Sequence, residues 1–153
     1  MRKVLIILGI AGLLAAGCAV APSKRVTGYS ASVGDKAADT ALAMIGRPYQ
    51  FKGETPGGFD CSGLVRYSYL MAGLDVPHGT SALRNSTRSV GLRSARKGDL
   101  LFFIQEGKKY SHVGIYVGND QFVHAPSTGG HVRRDSITDP YWKKNYLDTR
   151  RFL

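Results

Sequence analysis

An almost unbroken apolar run covers residues 4–16, and after it the chain becomes small, polar and turn-prone through residue 34. Over residues 35–45 the apolar side chains Ala38, Leu42 and Ile45 recur at helical spacing, and Gly46 and Pro48 stop the pattern. The segment 46–63, "GRPYQFKGETPGGFDCSG", is a loop rich in glycine and proline. From Leu64 helical spacing returns, with Leu64, Ser68 and Met71 on one stripe, Val65 and Ala72 beside it, and Gly73 as the stop. Asp60 stands where an N-cap belongs, which places Cys61 on the first turn of this second helix. A polar stretch over 81–97 precedes "GDLLFFI", whose mostly apolar run predicts a strand buried on both faces. "QEGKKY" is then a loop, and "SHVGIYV" and "QFVHA" flank "GND" as the arms of a hairpin. "VRRDSI" adds an edge, and "YLDTRRFL" reads as a closing strand. Two helices followed by hairpin-linked strands predict an α+β domain built on a central antiparallel β-sheet.

Length and composition narrow this picture. A chain of 153 residues with 43% hydrophobic and 10% aromatic side chains can bury one real core, which excludes a disordered polymer. The 21 basic against 11 acidic side chains favour acidic polymers or anionic membrane surfaces as neighbours. The N-terminus decides between them. Arg2 and Lys3, the apolar run and the small residues before Cys18 have the layout of an export signal, so nucleic acid is not the expected partner. The ending "LLAAGC" matches the lipobox pattern in Ala16, Gly17 and Cys18, although Ala15 stands where leucine is usual. The expected organisation is a lipoprotein signal at 1–17, a lipidated Cys18 with a flexible tether at 18–34, and a single domain at 35–153. Ala19 after Cys18 directs such a lipoprotein to the periplasmic face of the outer membrane.

Cysteine arithmetic then becomes informative. With Cys18 committed to lipid, Cys61 has no disulfide partner within the chain. A thiol at a helix N-terminus meets the positive end of the helix dipole, which favours the thiolate. A cysteine nucleophile needs a histidine to take its proton and a further group to orient that histidine. His78 and His131 lie in turn-like surroundings and are expected at the surface, whereas His112 opens one hairpin arm and His124 closes the other. A two-residue turn at Asn119-Asp120 puts the two imidazoles on opposite faces, because side chains alternate with period two. A three-residue loop, Gly118-Asn119-Asp120, pairs Val117 with Gln121 and brings both histidines to one face, with Gly114 between them. The three-residue loop is therefore expected, with Asp120 in the left-handed region. Spacing supports Cys61 as nucleophile with His112 and His124 as base and orienting group, and leaves open which histidine is which.

"GRPYQFKGETPGGFDCSGLV", "KGDLLFF", "SHVGIYVGNDQFVHA" and "DPYWKKNYLDTRRFL", in this order, resemble the NlpC-type family of papain-like cell-wall cysteine peptidases. The resemblance runs from about Asp35 to the C-terminus. It implies N-terminal helices packed on the antiparallel sheet with the nucleophile at a helix N-terminus. It further implies Cys61 as nucleophile, His112 as base and His124 as third member of a triad that cleaves peptidoglycan stem peptides or cross-links. Tyr49 matches the family tyrosine near the nucleophile and could donate to an oxyanion together with the Cys61 backbone N–H. Asp60 and Ser62 occupy positions that contact substrate in relatives, and Ser111 is placed to line the site beside His112. The reaction needs no cofactor, and a monomer is expected. Three other readings use the same residues: a zinc site, disfavoured because no close ligand pair is present, a catalytically idle wall-binding scaffold, and acyl or amide transfer.

Overall fold

A computed structural model describes residues 28–105, 107–127 and 130–153. The expected signal and Cys18 lie outside the described residues, and no described helix is long and apolar enough to cross a membrane. Helix α1 (Ala31–Ala43) starts four residues before the expected position 35. Its cap is Ser30, whose hydroxyl accepts from the Val33 N–H at 3.4 Å, so the last residues of the expected tether are helix. The small residues there hid the start, and one of them, Gly34, lies where the chain packs closely on itself. A Cβ on Gly98 would collide with the Gly34 backbone.

Two short strands, β1 (Glu54–Thr55) and β2 (Gly58–Phe59), form a hairpin that leads into α2 (Cys61–Met71). Asp60 caps α2, its Oδ1 accepting from the Gly63 N–H at 2.6 Å, and Gly73 takes φ 92° just past the end, as the sequence predicts. The buried stripe of α2 is Leu64, Val65, Ser68 and Tyr69. Met71 is 56% exposed, because the stripe bends toward Tyr69, whose hydroxyl donates to the Gly98 carbonyl.

The polar stretch 81–97 is more structured than expected. It holds α3 (Thr80–Asn85), β3 (Thr87–Val90) and a 3₁₀ turn (Leu92–Ser94). β3 was hidden because an edge strand has little need of apolar alternation. It is followed by β4 (Leu100–Gln105), β5 (Lys108–Gly118), β6 (Gln121–His124), β7 (Arg133–Ser136), α4 (Pro140–Asn145) and β8 (Tyr146–Phe152). The strands form one antiparallel sheet in the order β3-β8-β4-β5-β6-β7. Leu100 to Phe103 of β4 are all fully buried, which matches the doubly apolar run. Leu100 and Phe102 face the helices with Val113 and Ile115, and Leu101 and Phe103 pack on the other face with Phe122, Ile137 and Trp142. α4 was missed, although Asp139 before Pro140 is a readable start, since its carboxylate caps Tyr141 N–H at 2.9 Å.

The hairpin turn corrects the expected three-residue loop. Gly118 pairs with Gln121, so the turn is the two residues Asn119 and Asp120, at φ 52° and 56°. Left-handed geometry at both positions is what a tight hairpin turn needs, and Asn and Asp tolerate it. The register then shifts between Tyr116 and Gly118, so that Tyr116 faces Phe122 and Ile115 faces Val123. This bulge, beside a glycine at φ 94°, adds the residue that the turn lacks. The two histidines reach one face through a bulge and not through a longer loop.

Candidate active site

α2 delivers Cys61 by its N-terminal turn. Close approach requires glycine there, since a Cβ on Gly63 would collide with the Gly53 carbonyl of the β1 approach. Cys61 and His112 line a common groove of about 140 Å³ with Tyr49, Gln105, Lys108, Ser111, Ala125 and Ser127. His112 Nε2 lies 2.9 Å from His124 Nδ1, with the rings at right angles. Gly114 makes this possible, because a Cβ at that position would press on the Phe122 ring and on His124. The two nitrogens are at hydrogen-bond distance. Among the described residues no group of three or more His, Cys, Asp or Glu side chains is arranged to hold a metal.

The chain of contacts continues past the expected residues. His124 Nε2 lies 3.0 Å from Asp135 Oδ2. The same oxygen accepts from Trp142 Nε1 at 2.8 Å and from Arg133 Nε at 3.0 Å. Trp142 also stacks on the His112 ring, with centroids 5.6 Å apart. Neither Asp135 nor Trp142 was singled out from the sequence. Asp135 becomes visible only through the β6–β7 register, which sets His124 opposite Arg133 and Asp135 two pairs along, opposite Phe122 and so on the same face as His124. The separation of those strands along the chain conceals that pairing from any periodicity argument.

The accessory residues divide. Tyr49 and Ser111 line the groove. The Ser111 hydroxyl accepts from Gln105 N–H at 2.8 Å and faces the Gln105 and Lys108 carbonyls, so it shapes the β4–β5 turn. The Ser62 hydroxyl turns to Asp60 at 2.9 Å. Asp60 is also met by His78 Nε2 at 3.0 and 3.1 Å. His78, expected at the surface, is partly exposed and is held against the α2 cap, because the bend at residues 78–79 folds it back. His131 is exposed, as expected.

Electrostatics revise the expected thiolate. Burial, then the Asp60 carboxylate, push the Cys61 thiol up to about 11, against the opposing pull of the Val113, Ser62 and Cys61 backbone N–H groups. Burial first, then His124 and Arg133, push His112 down to about 3. His124 is lowered too, chiefly by burial, with Asp135 opposing. Asp135 itself is held well below the usual carboxylate range by its hydrogen bond to His124. The resting site at neutral pH is therefore a neutral thiol beside a neutral imidazole. Because the thiol is the protonated form below its raised value, alkylation of Cys61 by iodoacetamide should accelerate about tenfold per pH unit between pH 7 and 10. A rate already level below pH 8 would contradict this and indicate a preformed thiolate–imidazolium pair.

Known proteins resemble the chain in sequence and in fold. The pattern of the NlpC/P60 family matches residues 46–151. The probable endopeptidase NlpC homolog of Haemophilus influenzae is 37% identical over 131 residues, covering 84% of this chain and 69% of the relative. The murein DD-endopeptidase MepS/murein LD-carboxypeptidase of Escherichia coli K12 is 42% identical over 106 residues, covering 69% of this chain and 55% of that protein. This chain thus spans little more than half the length of the second relative. A lipoprotein-like NLP/P60 family structure from Staphylococcus aureus superposes with a TM-score of 0.70 at 30% identity, covering 84% of this chain and 44% of that one. The NlpC/p60 domain of the peptidoglycan hydrolase SagA superposes at 0.65 with 35% identity, covering 78% of this chain and 98% of that domain.

Proposed function

The chain belongs to the NlpC/P60 family, and from that premise we propose that it is a peptidoglycan endopeptidase that hydrolyses amide bonds of stem peptides or their cross-links. The observation that carries this reading is the groove shared by Cys61 and His112, with His112 held from behind by His124 at 2.9 Å. His112 Nε2 is engaged by His124, which leaves Nδ1 to take the thiol proton. Sγ then attacks the amide carbonyl, and the Cys61 N–H with the Tyr49 phenol stabilises the oxyanion. Collapse of the tetrahedral intermediate breaks the C–N bond, the His112 imidazolium protonates the leaving amine, and a thioester remains. Water, deprotonated by the same nitrogen, releases the acid and restores the thiol. Both groups rest neutral, so proton transfer accompanies attack.

The proposal extends to location. An exported chain lipidated at Cys18, tethered to the periplasmic face of the outer membrane, would meet the wall directly. Removal of residues 1–17 takes away Arg2 and Lys3 and leaves 19 basic against 11 acidic side chains, a net charge of +8, suited to a wall rich in carboxylates.

The test is mass spectrometry of the products from purified cell wall in ¹⁸O water, full-length chain against Cys61→Ala. The expected result is thiol-dependent conversion of cross-linked to shorter fragments, with ¹⁸O in the new carboxylates. Undiminished conversion by Cys61→Ala overturns the reading. Adducts with an added amine in place of the ¹⁸O label would indicate transfer, and wall binding with no conversion by either protein would indicate a scaffold.

A further inference from the structure

A carboxylate can only accept hydrogen bonds, and a neutral imidazole has one nitrogen that donates and one that accepts. These two facts determine the proton positions along the row that leads away from Cys61. Asp135 Oδ2 meets His124 Nε2 at 3.0 Å, so that nitrogen carries the proton. His124 Nδ1 is then bare and must accept. Its partner at 2.9 Å is His112 Nε2, which therefore carries the proton of the second ring. His112 Nδ1 is left bare, and it is the nitrogen remaining for the groove that Cys61 lines.

We infer that Asp135 is a positioning residue that sets the tautomer of both histidines, keeping His112 Nδ1 free to take the Cys61 proton from two hydrogen bonds away. The inference rests on the proposed role of Cys61 and His112. Without the acceptor, the row can run the other way. His124 would then carry its proton on Nδ1 and donate to His112 Nε2, which forces the His112 proton onto Nδ1. In that state the base faces the thiol with a proton already in place.

The surroundings of Asp135 are built to hold an acceptor at this spot. Trp142 Nε1 at 2.8 Å and Arg133 Nε at 3.0 Å, both able only to donate, converge on the same oxygen. Protonation of that oxygen would set three donors against a fourth hydrogen. The carboxyl is accordingly held well below its usual range. The nearest charged groups are Arg133 beside it, with Arg134 and Asp139 lining the outer groove that Asp135 also faces. The edge strand β7 supplies the carboxylate and α4 supplies the tryptophan, so two elements separate from the thiol helix direct its base.

The same two donors make the conservative variant informative. In Asp135→Asn the amide oxygen is drawn to the position of Oδ2 by Trp142 and Arg133, so His124 still finds an acceptor there. In Asp135→Ala it does not.

The experiment is ¹⁵N NMR of the imidazoles in the full-length chain at pH 7, with kcat and KM measured on a cross-linked muropeptide. The wild type is expected to carry both protons on Nε2. Asp135→Ala should show a His112 population protonated on Nδ1 and a kcat lower by about 10–100-fold, with KM changed less than about twofold. Asp135→Asn should restore the Nε2 protons and most of kcat, and Trp142→Phe, which removes a donor and keeps the acceptor, should leave both tautomers as in the wild type. A wild-type His112 protonated on Nδ1 overturns the inference, as does an Asp135→Ala protein with unchanged tautomers. If Asp135→Ala does not fold, the wild-type and Asp135→Asn spectra still decide it. The tautomers are read without turnover, so an inactive wild type would count against the proposed function and not against this assignment.

Discussion

His112→Ala should lower turnover of cross-linked wall fragments by on the order of 10⁴-fold, about as much as Cys61→Ala, and the double variant should lose little more. In the proposed mechanism the two side chains act as one unit. Without the base the thiol stays protonated, since burial holds it at about 11. Without the thiol the base has nothing to activate. The residual rate then reflects what the groove and the oxyanion donors contribute alone. Kinetics on the three purified variants, with unfolding temperature as a control for structure, would check this. Multiplicative losses in the double variant would mean that the two residues work in separate steps. A His112→Ala protein losing less than about tenfold would remove it from the role of base.

The second large effect concerns stability. Asp99→Ala should cost about 3–5 kcal/mol, a fall in unfolding temperature of roughly 10–20 °C for a domain of this size. Asp99 is fully buried, and Arg151 grips it twice, Nε to Oδ1 and Nη2 to Oδ2, each at 2.7 Å. The Arg96 N–H adds a third bond at 2.8 Å. Asp99 precedes β4 and Arg151 lies near the end of β8, so the pair ties neighbouring strands where the chain closes. Removing one partner leaves a guanidinium with little access to water and no counter-charge, whereas replacing both with apolar groups need not. Asp99→Leu with Arg151→Met should therefore recover much of the loss. Arg66→Ala, which breaks a half-exposed contact with Glu54 at 3.5 Å, should cost under about 1 kcal/mol. Urea unfolding of the three variants would check the ranking, and an Asp99→Ala cost as small as that of Arg66→Ala would contradict it.

Much of this protein is written in local pattern. The Asp60 cap, the α2 stripe through Leu64 and Val65, the Gly73 stop and the doubly buried β4 follow from spacing and residue type, because helix and strand periods act over a few residues. Cys61 emerged the same way, as an unpaired thiol on a first helical turn. Where local signals were weak or ambiguous, the expectations slipped. The start of α1 looked like tether because its residues are mostly small and polar, and of these Gly34 is small for the close approach of Gly98. β3 showed only as part of a polar stretch, because it lies at the edge of the sheet.

The hairpin is the sharper case. Requiring the two histidines to meet led to a three-residue loop, and the protein meets that requirement with a two-residue turn and a bulge. Parity of the register is a sequence-level constraint, but the device that satisfies it is not, since a turn and a bulge differ only in pairing. The sequence by itself determined an α+β domain, the helix that carries Cys61, and His112 and His124 as its prospective partners. The tertiary structure decided that the histidines touch, that burial pushes the thiol up, and that Asp135 and Trp142 stand behind them. Contact, burial and desolvation are properties of segments brought together from far along the chain. β7 and α4 reach the site only once the sheet has assembled around it.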